Sequence, residues 1–320
     1  MNKITILGTG IAVPKTIVTN KDLESIVDTS DEWITSRTGI KQRYVSQDET
    51  TLRLAVDAAK MAMEQANIKA NQIDLVVVAT VTGDFLFPSV ANGLVQELGL
   101  RHVMSFDVNA ACAGFVYAWK VVEQFLKNHP TWNALLVGAE SLTKYIDWQD
   151  RNTCILFGDG AGAFVMGPGS GSVLAIECAS REDEENNLYC HAPKARGLNS
   201  DIPKAGMVMM NGREVFKFAT TIVPESISKL AQSIEMDVDG IDWFVLHQAN
   251  NRIIETAAHR LGAPIEKFFV NIDRYGNTSS ASIPIAFHEA VMGQTIKRGD
   301  TVASVAFGGG LTWGSVIFQY

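Results

Sequence analysis

Apolar residues follow two rhythms along this chain. Runs such as Ile73-Asp-Leu-Val-Val-Val-Ala79, Ala134 to Gly138 and Ile241-Asp-Trp-Phe-Val-Leu246 are rich in β-branched residues and scarcely alternate with polar ones, as in strands covered on both faces. Between them the period becomes helical. Leu54, Ala55, Ala58 and Ala62 line one side of Thr51 to Ala66, and from Gly114 onward Phe115, Ala118, Trp119, Val122, Phe125 and Leu126 recur every three or four residues. The first half also predicts a strand over Ile4 to Leu7, a turn at Gly8-Thr-Gly10 and short helices after Asn20 and Asp28-Thr-Ser-Asp-Glu32. Pro88 opens a helix over 89–98, Ser105 to Val108 ends a strand, and Phe157 to Met166 reads as a Gly-punctuated pair of strands. Later helices are predicted around Val223 to Ile234, over Asn251 to Leu261 and over Ile283 to Val291.

The two halves echo each other. A helix precedes Ile73-Asp-Leu-Val-Val-Val78 just as one precedes Ile241-Asp-Trp-Phe-Val-Leu246, and Phe157-Gly-Asp-Gly-Ala-Gly-Ala-Phe has a later counterpart in Phe307-Gly-Gly-Gly-Leu-Thr-Trp-Gly. The spacings differ but the order is kept, so duplication with altered loops is the better reading, with halves at residues 1–170 and 171–320. Strands alternating with helices in both halves imply mixed α/β sheets with helices packed on them.

Composition narrows the function classes. With 320 residues, 47% hydrophobic and 19% charged, the chain can bury a large core. Its net charge of −8 argues against nucleic acid as the main partner. The cysteines Cys112, Cys154, Cys178 and Cys190 show neither metal-type spacing nor a disulfide framework. The N-terminal residues lack a signal-peptide core and no apolar run reaches the ~18 residues a membrane span needs, so a cytoplasmic protein without a membrane partner is expected.

Candidate chemistry gathers at four places. Cys112, in Asp107-Val-Asn-Ala-Ala-Cys112-Ala-Gly-Phe115, falls where a strand turns into a helix; there the helix dipole and free N–H groups favour a thiolate, although a buried inert cysteine is the other reading. His247 follows a buried strand, at the carboxyl end where α/β sites collect, or is simply a hydrogen-bonded strand-end histidine. Gly276-Asn277-Thr-Ser-Ser-Ala-Ser282 is a small polar turn that could be ordinary capping, and Gly308-Gly-Gly310 lets backbone N–H groups approach a ligand or makes a tight connection. Taken together, a nucleophile, two neutral donors and backbone N–H groups for an oxyanion make an acyl-transfer site.

These residues belong to a wider set of motifs. Thr29-Ser-Asp-Glu-Trp-Ile34 with Arg37-Thr-Gly-Ile40, Ala111-Cys-Ala-Gly-Phe115, Phe157-Gly-Asp-Gly-Ala-Gly162, His247-Gln-Ala-Asn250, Gly276-Asn-Thr-Ser279, and Gly308-Gly-Gly310 with Thr312-Trp-Gly314 span the chain. With them the sequence closely resembles the β-ketoacyl-acyl-carrier-protein synthase III enzymes of bacterial type II fatty-acid synthesis, in the thiolase superfamily. The resemblance implies a thiolase-like five-layered αβαβα sandwich and a catalytic triad of Cys112, His247 and Asn277, with the N–H groups of Cys112 and Gly309 as oxyanion hole. It implies that Cys112 takes the acyl group of an acyl-CoA and that malonyl-acyl-carrier protein then condenses with loss of carbon dioxide. Acyl-CoA is then a substrate, with no permanently bound cofactor and no metal. Trp33, Arg37 and Arg151 would hold the CoA adenine; as residues, Trp33 and Arg37 share a helix face and could equally be a surface cation–π pair.

The resemblance further implies a homodimer, with Phe87 walling the partner's acyl pocket and Leu142, Phe157 and Phe307 at pocket positions beside Cys112. Arg252 matches the main carrier-docking position, with Lys217, Gln248 and Arg260 as further carrier-protein contacts; a solvated charged face is the alternative for the basic ones. Leu311 departs from the phenylalanine common after the glycines, and the segment Tyr145 to Gln149, with Trp148, has no clear counterpart. Elongating synthases place a second histidine where Asn277 stands, thiolases use a second cysteine after Cys190, and papain-like proteases carry a local cysteine signature this chain lacks. The alternative within the superfamily is a related acyl-CoA condensing enzyme of secondary metabolism.

Overall fold

The computed structural model describes residues 3–192 and 206–320. The first half contains β1 (Ile4–Ala12), the ribbon strands β2 (Thr16–Thr19) and β3 (Gln42–Val45) with α1 (Asn20–Leu23) and α2 (Asp31–Thr38) between them, then α3 (Thr51–Ala66) and β4 (Leu75–Ala79). It continues through α4 (Val90–Glu97), β5 (Met104–Val108), α5 (Gly114–Asn128), β6 (Ala134–Glu140), α6 (Arg151–Cys154) and β7 (Gly160–Pro168). After it come β8 (Ser172–Ser180), the ribbon β9 (Leu188–Cys190) and β10 (Val208–Met210), α7 (Gly212–Gln232) and β11 (Trp243–Phe244). The last elements are α8 (Asn251–Leu261), α9 (Ile272–Tyr275), α10 (Ser282–Met292), β12 (Thr301–Gly308) and β13 (Thr312–Gln319).

The two large sheets repeat one plan. Their orders are β1-β7-β6-β4-β5 and β8-β13-β12-β11. In each, the first two pairings are antiparallel and the third is parallel. Side chains alternate across the sheets. Val76, Val78, Leu135 and Val137 face α3 and α4, while Leu75, Val77, Leu136 and Phe164 face the opposite way onto Phe115, Trp119 and Phe287 of α5 and α10. Those central helices also meet Val302, Ala306, Val316 and Phe318 of the second sheet, whose far face packs Ala303, Val305 and Ile317 on α7 and α8. The outcome is the expected αβαβα stack. Among the described residues no helix is long and apolar enough to cross a membrane.

Two local expectations are corrected. Gly8 and Gly10 make no turn: β1 runs through both, because a Cβ there would sit 2.4 Å from the Ala62 carbonyl oxygen and 2.3 Å from that of Ala58. The small residues let α3 lie directly on the strand. The glycines of Phe157 to Met166 likewise do not separate two strands. From Gly160 they belong to β7 alone, and Phe157 makes only an isolated bridge, to Asn277.

Candidate active site

Cys112 lies in a 3-10 turn, Ala111–Ala113, that leads straight into α5, the buried helix between the sheets. The turn starts with Ala111 at φ 47°, which swings the sulfur off the strand direction. β12 comes so close that a Cβ on Gly308 would lie 2.7 Å from the Cys112 backbone nitrogen. His247 follows β11, its N–H donating to the Val305 carbonyl at 2.8 Å. Its ring packs edge-to-face on Phe307 with centroids 5.2 Å apart. Nδ1 is buried without a partner, which leaves Nε2 to face the cavity. Asn277 is held from the other half of the molecule: its N–H donates to the Leu156 carbonyl at 2.9 Å, and its own carbonyl accepts from the Gly158 N–H at 3.0 Å. The Ser279 N–H donates to Asn277 Oδ1 at 2.9 Å, so the amide turns its Nδ2 donor outward.

The three side chains, separated widely in sequence, line one cavity of about 590 Å³ together with Phe157, Phe307, Trp33, Arg37 and Arg252. A second cavity of about 520 Å³ also reaches Cys112, lined by Leu142, Tyr145, Phe157, Val208, Ser279 and Gly309 among others. Cys112 therefore stands at the junction of two spaces. One is edged by Arg37, Arg213 and Arg252; the other counts Leu142, Phe157 and Val208 in its wall.

Electrostatics differ from expectation at the sulfur. Burial pushes the Cys112 thiol up to about 12, with Glu140 adding repulsion, while a Ser279 hydroxyl bond and the residue's own N–H oppose. Desolvation of the anion therefore works against the thiolate that a helix start would favour. Burial also lowers the His247 imidazole to about 3, so the ring is neutral and one of its nitrogens carries a donor N–H.

The C-terminal model for 3-oxoacyl-[acyl-carrier-protein] synthase III matches residues 231–320, and the companion synthase III model matches residues 106–181. A beta-ketoacyl-[acyl-carrier-protein] synthase III of Clostridium acetobutylicum is 45% identical over 324 residues, covering 100% of this chain and 99% of that protein. The chain belongs to the 3-oxoacyl-[acyl-carrier-protein] synthase III family. The crystal structure of the Aquifex aeolicus synthase III superposes with a TM-score of 0.92 at 43% identity, covering 99% of this chain and 100% of that one. The priming β-ketosynthase of a polyketide pathway gives 0.93 at 31% identity, covering 99% and 96%.

Within this synthase III chain the other predicted residues fall as follows. Trp33 lies under two guanidinium groups, Arg151 at 4.7 Å and Arg37 at 5.5 Å from its ring centroid. Trp33 and Arg37 edge the first cavity, and Arg151 donates to the Asp28 carbonyl at 2.8 Å. Leu142 and Phe157 line the second cavity, whereas Phe307, expected among the acyl-pocket residues, lines the first. Phe87 lines neither and is 85% exposed. Arg252, Arg260 and Lys217 are exposed on α8 and α7; Arg260 donates to the Thr220 carbonyl at 2.9 Å and Lys217 lies 3.8 Å from Glu214.

Gln248 is a correction. It is 1% exposed, its Nε2 donates to the Leu246 carbonyl at 2.9 Å, and its Oε1 accepts from the Asn271 N–H at 3.0 Å. It cannot reach a carrier protein; it braces the backbone behind His247. Three residues escaped the sequence reading. Arg213 edges the first cavity at the start of α7, and Ser279 and Glu140 form a buried polar group behind Cys112. Glu140 left a signal, being a carboxylate that ends an otherwise apolar strand.

Proposed function

We propose that Cys112, His247 and Asn277 carry out the two half-reactions of an initiating condensing enzyme, with acyl-CoA and malonyl-acyl-carrier protein as substrates. The observation that carries this reading is the convergence of a sulfur, a neutral imidazole and an amide donor on one cavity. In the first half-reaction the Cys112 sulfur attacks the thioester carbonyl and CoA leaves as a thiolate. The N–H groups of Cys112 and Gly309 receive the oxyanion, Gly309 being next to the Gly308 contact with the nucleophile's backbone. The acyl chain extends into the second cavity past Leu142 and Phe157.

In the second half-reaction malonyl thioester loses carbon dioxide, and the enolate oxygen forms beside His247 and the Asn277 amide. Neutral donors suit that step: they stabilise the enolate oxygen without protonating the carbon nucleophile. The carbanion attacks acyl-Cys112 and expels the sulfur, releasing a β-ketoacyl-carrier protein. Trp33, Arg37 and Arg151 bind the CoA base and phosphates, and Arg252, Lys217 and Arg260 dock the carrier protein. Cytoplasmic action fits these substrates, and residues 1–170 and 171–320 act as two thiolase-like halves sharing one site.

A secondary-metabolite condensing role is less favoured, since the polyketide priming synthase is 31% identical while the fatty-acid-type synthases reach 45%. The test is to mix the protein with acetyl-CoA or branched acyl-CoAs and malonyl-acyl-carrier protein and weigh the products. A product two carbons longer is expected. Cys112→Ser should form no acyl adduct, whereas Asn277→Ala should form it and decarboxylate roughly 100- to 1,000-fold more slowly. Thioester hydrolysis without chain extension would overturn the reading.

A further inference from the structure

Close to the Asn277 turn lies a buried cation whose hydrogen-bond partners are all neutral. Arg43, in β3, is 0% exposed. Its Nη2 donates to the Ile155 carbonyl at 2.7 Å, and its Nη1 donates to Asn20 Oδ1 at 3.0 Å and to the Val18 carbonyl at 3.3 Å. Nε is buried without a partner. Burial lowers the guanidinium to about 10, which leaves it protonated at neutral pH. Taking a cation out of water against neutral acceptors is costly, so stability alone gives little reason for it. What a guanidinium supplies here is a rigid planar fork that fixes several segments at once.

One arm of the fork leads to Asn277. Ile155 precedes Leu156, whose carbonyl accepts the Asn277 N–H at 2.9 Å, and the Gly158 N–H donates back to the Asn277 carbonyl at 3.0 Å. Two glycines allow the approach. A Cβ on Gly158 would lie 3.0 Å from Arg43 Cβ and 2.4 Å from the Tyr275 carbonyl oxygen; one on Gly276 would lie 3.2 Å from Arg43 Cβ and 2.9 Å from the Leu156 carbonyl oxygen. Segments 155–158 and 275–277 thus close on the Arg43 stem with no room for a side chain between them. The other arm leads to the CoA side. Asn20, which accepts from Arg43, donates through Nδ2 to Asp31 Oδ1 at 2.8 Å and to the Ile40 carbonyl at 2.7 Å. These bonds grip the start of α2 and the chain just past its end, and α2 carries Trp33 and Arg37.

We infer that Arg43 is a positioning residue for Asn277: its guanidinium ties the segment from Ile155 to Gly158, on which Asn277 hangs, to Val18 and Asn20, and so sets where the amide donor stands in the cavity. Arg43 meets no reacting atom and acts through the backbone of that segment. The other two side chains are held elsewhere, Cys112 by the start of α5 against β12 and His247 by its bond to Val305. Loss of the fork should therefore displace one member of the three, and the half-reaction that needs it should suffer alone.

The inference rests on the reading of Asn277 as the donor to the enolate oxygen, and the test separates the two. Arg43→Met keeps the apolar stem and removes every donor; Arg43→Lys keeps the cation and loses the fork, and serves if the methionine variant does not fold. Crystal structures of the wild type and of each folded variant should show Asn277 Nδ2 moved by at least about 0.5 Å relative to Cys112 and His247. Decarboxylation of malonyl-acyl-carrier protein should fall on the order of 10- to 100-fold, while single-turnover acylation by saturating acetyl-CoA stays within about threefold. In an Asn277→Ala background, Arg43→Met should slow decarboxylation by no more than about twofold further, because its route of action is already gone. An Asn277 amide that stays in place in a folded variant, an equal loss in both half-reactions, or a further tenfold loss in the Asn277→Ala background overturns the inference. Wild-type decarboxylation by Asn277→Ala alone would instead sink the donor reading, and a displaced amide in the Arg43 variants would leave the positioning role standing.

Discussion

At the residue scale the site works through neutrality. His247 sits against Phe307 in a dry setting that lowers its imidazole to about 3. Decarboxylation should therefore show no acid-side loss from imidazole protonation between pH 5 and 8; a fall centred near pH 6.5 would contradict a buried neutral donor. The same shift has a stability consequence. Because the folded value lies below the ordinary 6.5, the unfolded chain takes up a proton that the folded one refuses as pH falls from about 6.5 toward 3, so this group's contribution declines in that window. Urea midpoints at pH 7 and pH 5 should thus fall further for the wild type than for His247→Gln. Residue chemistry of this kind was only half legible in the sequence. Cys112, His247 and Asn277 announce themselves by residue type and motif, but the protonation of the thiol depends on burial and on Glu140, which no local pattern connects to Cys112.

At the element scale, the approach of β12 to the start of α5 decides where the nucleophile stands. Gly308→Ala would place a methyl group 2.7 Å from the Cys112 nitrogen, and backbone on both sides cannot give way cheaply. We expect a loss of about 1–3 kcal/mol in stability. Acylation should fall on the order of 100-fold as the turn shifts, and single-turnover acylation followed by mass checks it. An undiminished rate would mean that the close contact does not hold the cysteine. The glycines show what local reading can and cannot reach. Helices 51–66 and 251–261 were legible to the residue, because their apolar faces and caps lie within one segment. Gly8 and Gly10 resembled a turn because the reason for their size, α3 lying across β1, is a contact between distant segments. Gln248 looked like a surface contact for a comparable reason: its partner Asn271 lies 23 residues away.

At the scale of the whole molecule, duplication explains why the site lies where it does. The two sheets share one strand order, and their central helices bury the cysteine turn at the seam, so donors from both halves reach one cavity. The plan also leaves one edge unfinished. β5 ends the first sheet and pairs with β4 alone among the described residues, while nearby Phe85, Leu86 and Phe87 are 69%, 93% and 85% exposed. Three consecutive exposed apolar side chains close to an open strand edge are costly in water and suit burial against a second copy of the chain. Leu86 already borders the second cavity, so a partner covering this segment would also close the acyl space. In sedimentation velocity the wild type should run as a dimer at micromolar concentration. Phe87→Asp, which carries a charge into the contact, should weaken association at least about 30-fold. Iodoacetamide reactivity of Cys112 should survive in that variant, because Phe87 lies outside both cavities of its own chain, whereas turnover with acyl-CoA should fall as the acyl space opens. A wild type that sediments as a monomer would leave the exposed triplet without its partner and remove the reason for placing Phe87 at a neighbour's pocket.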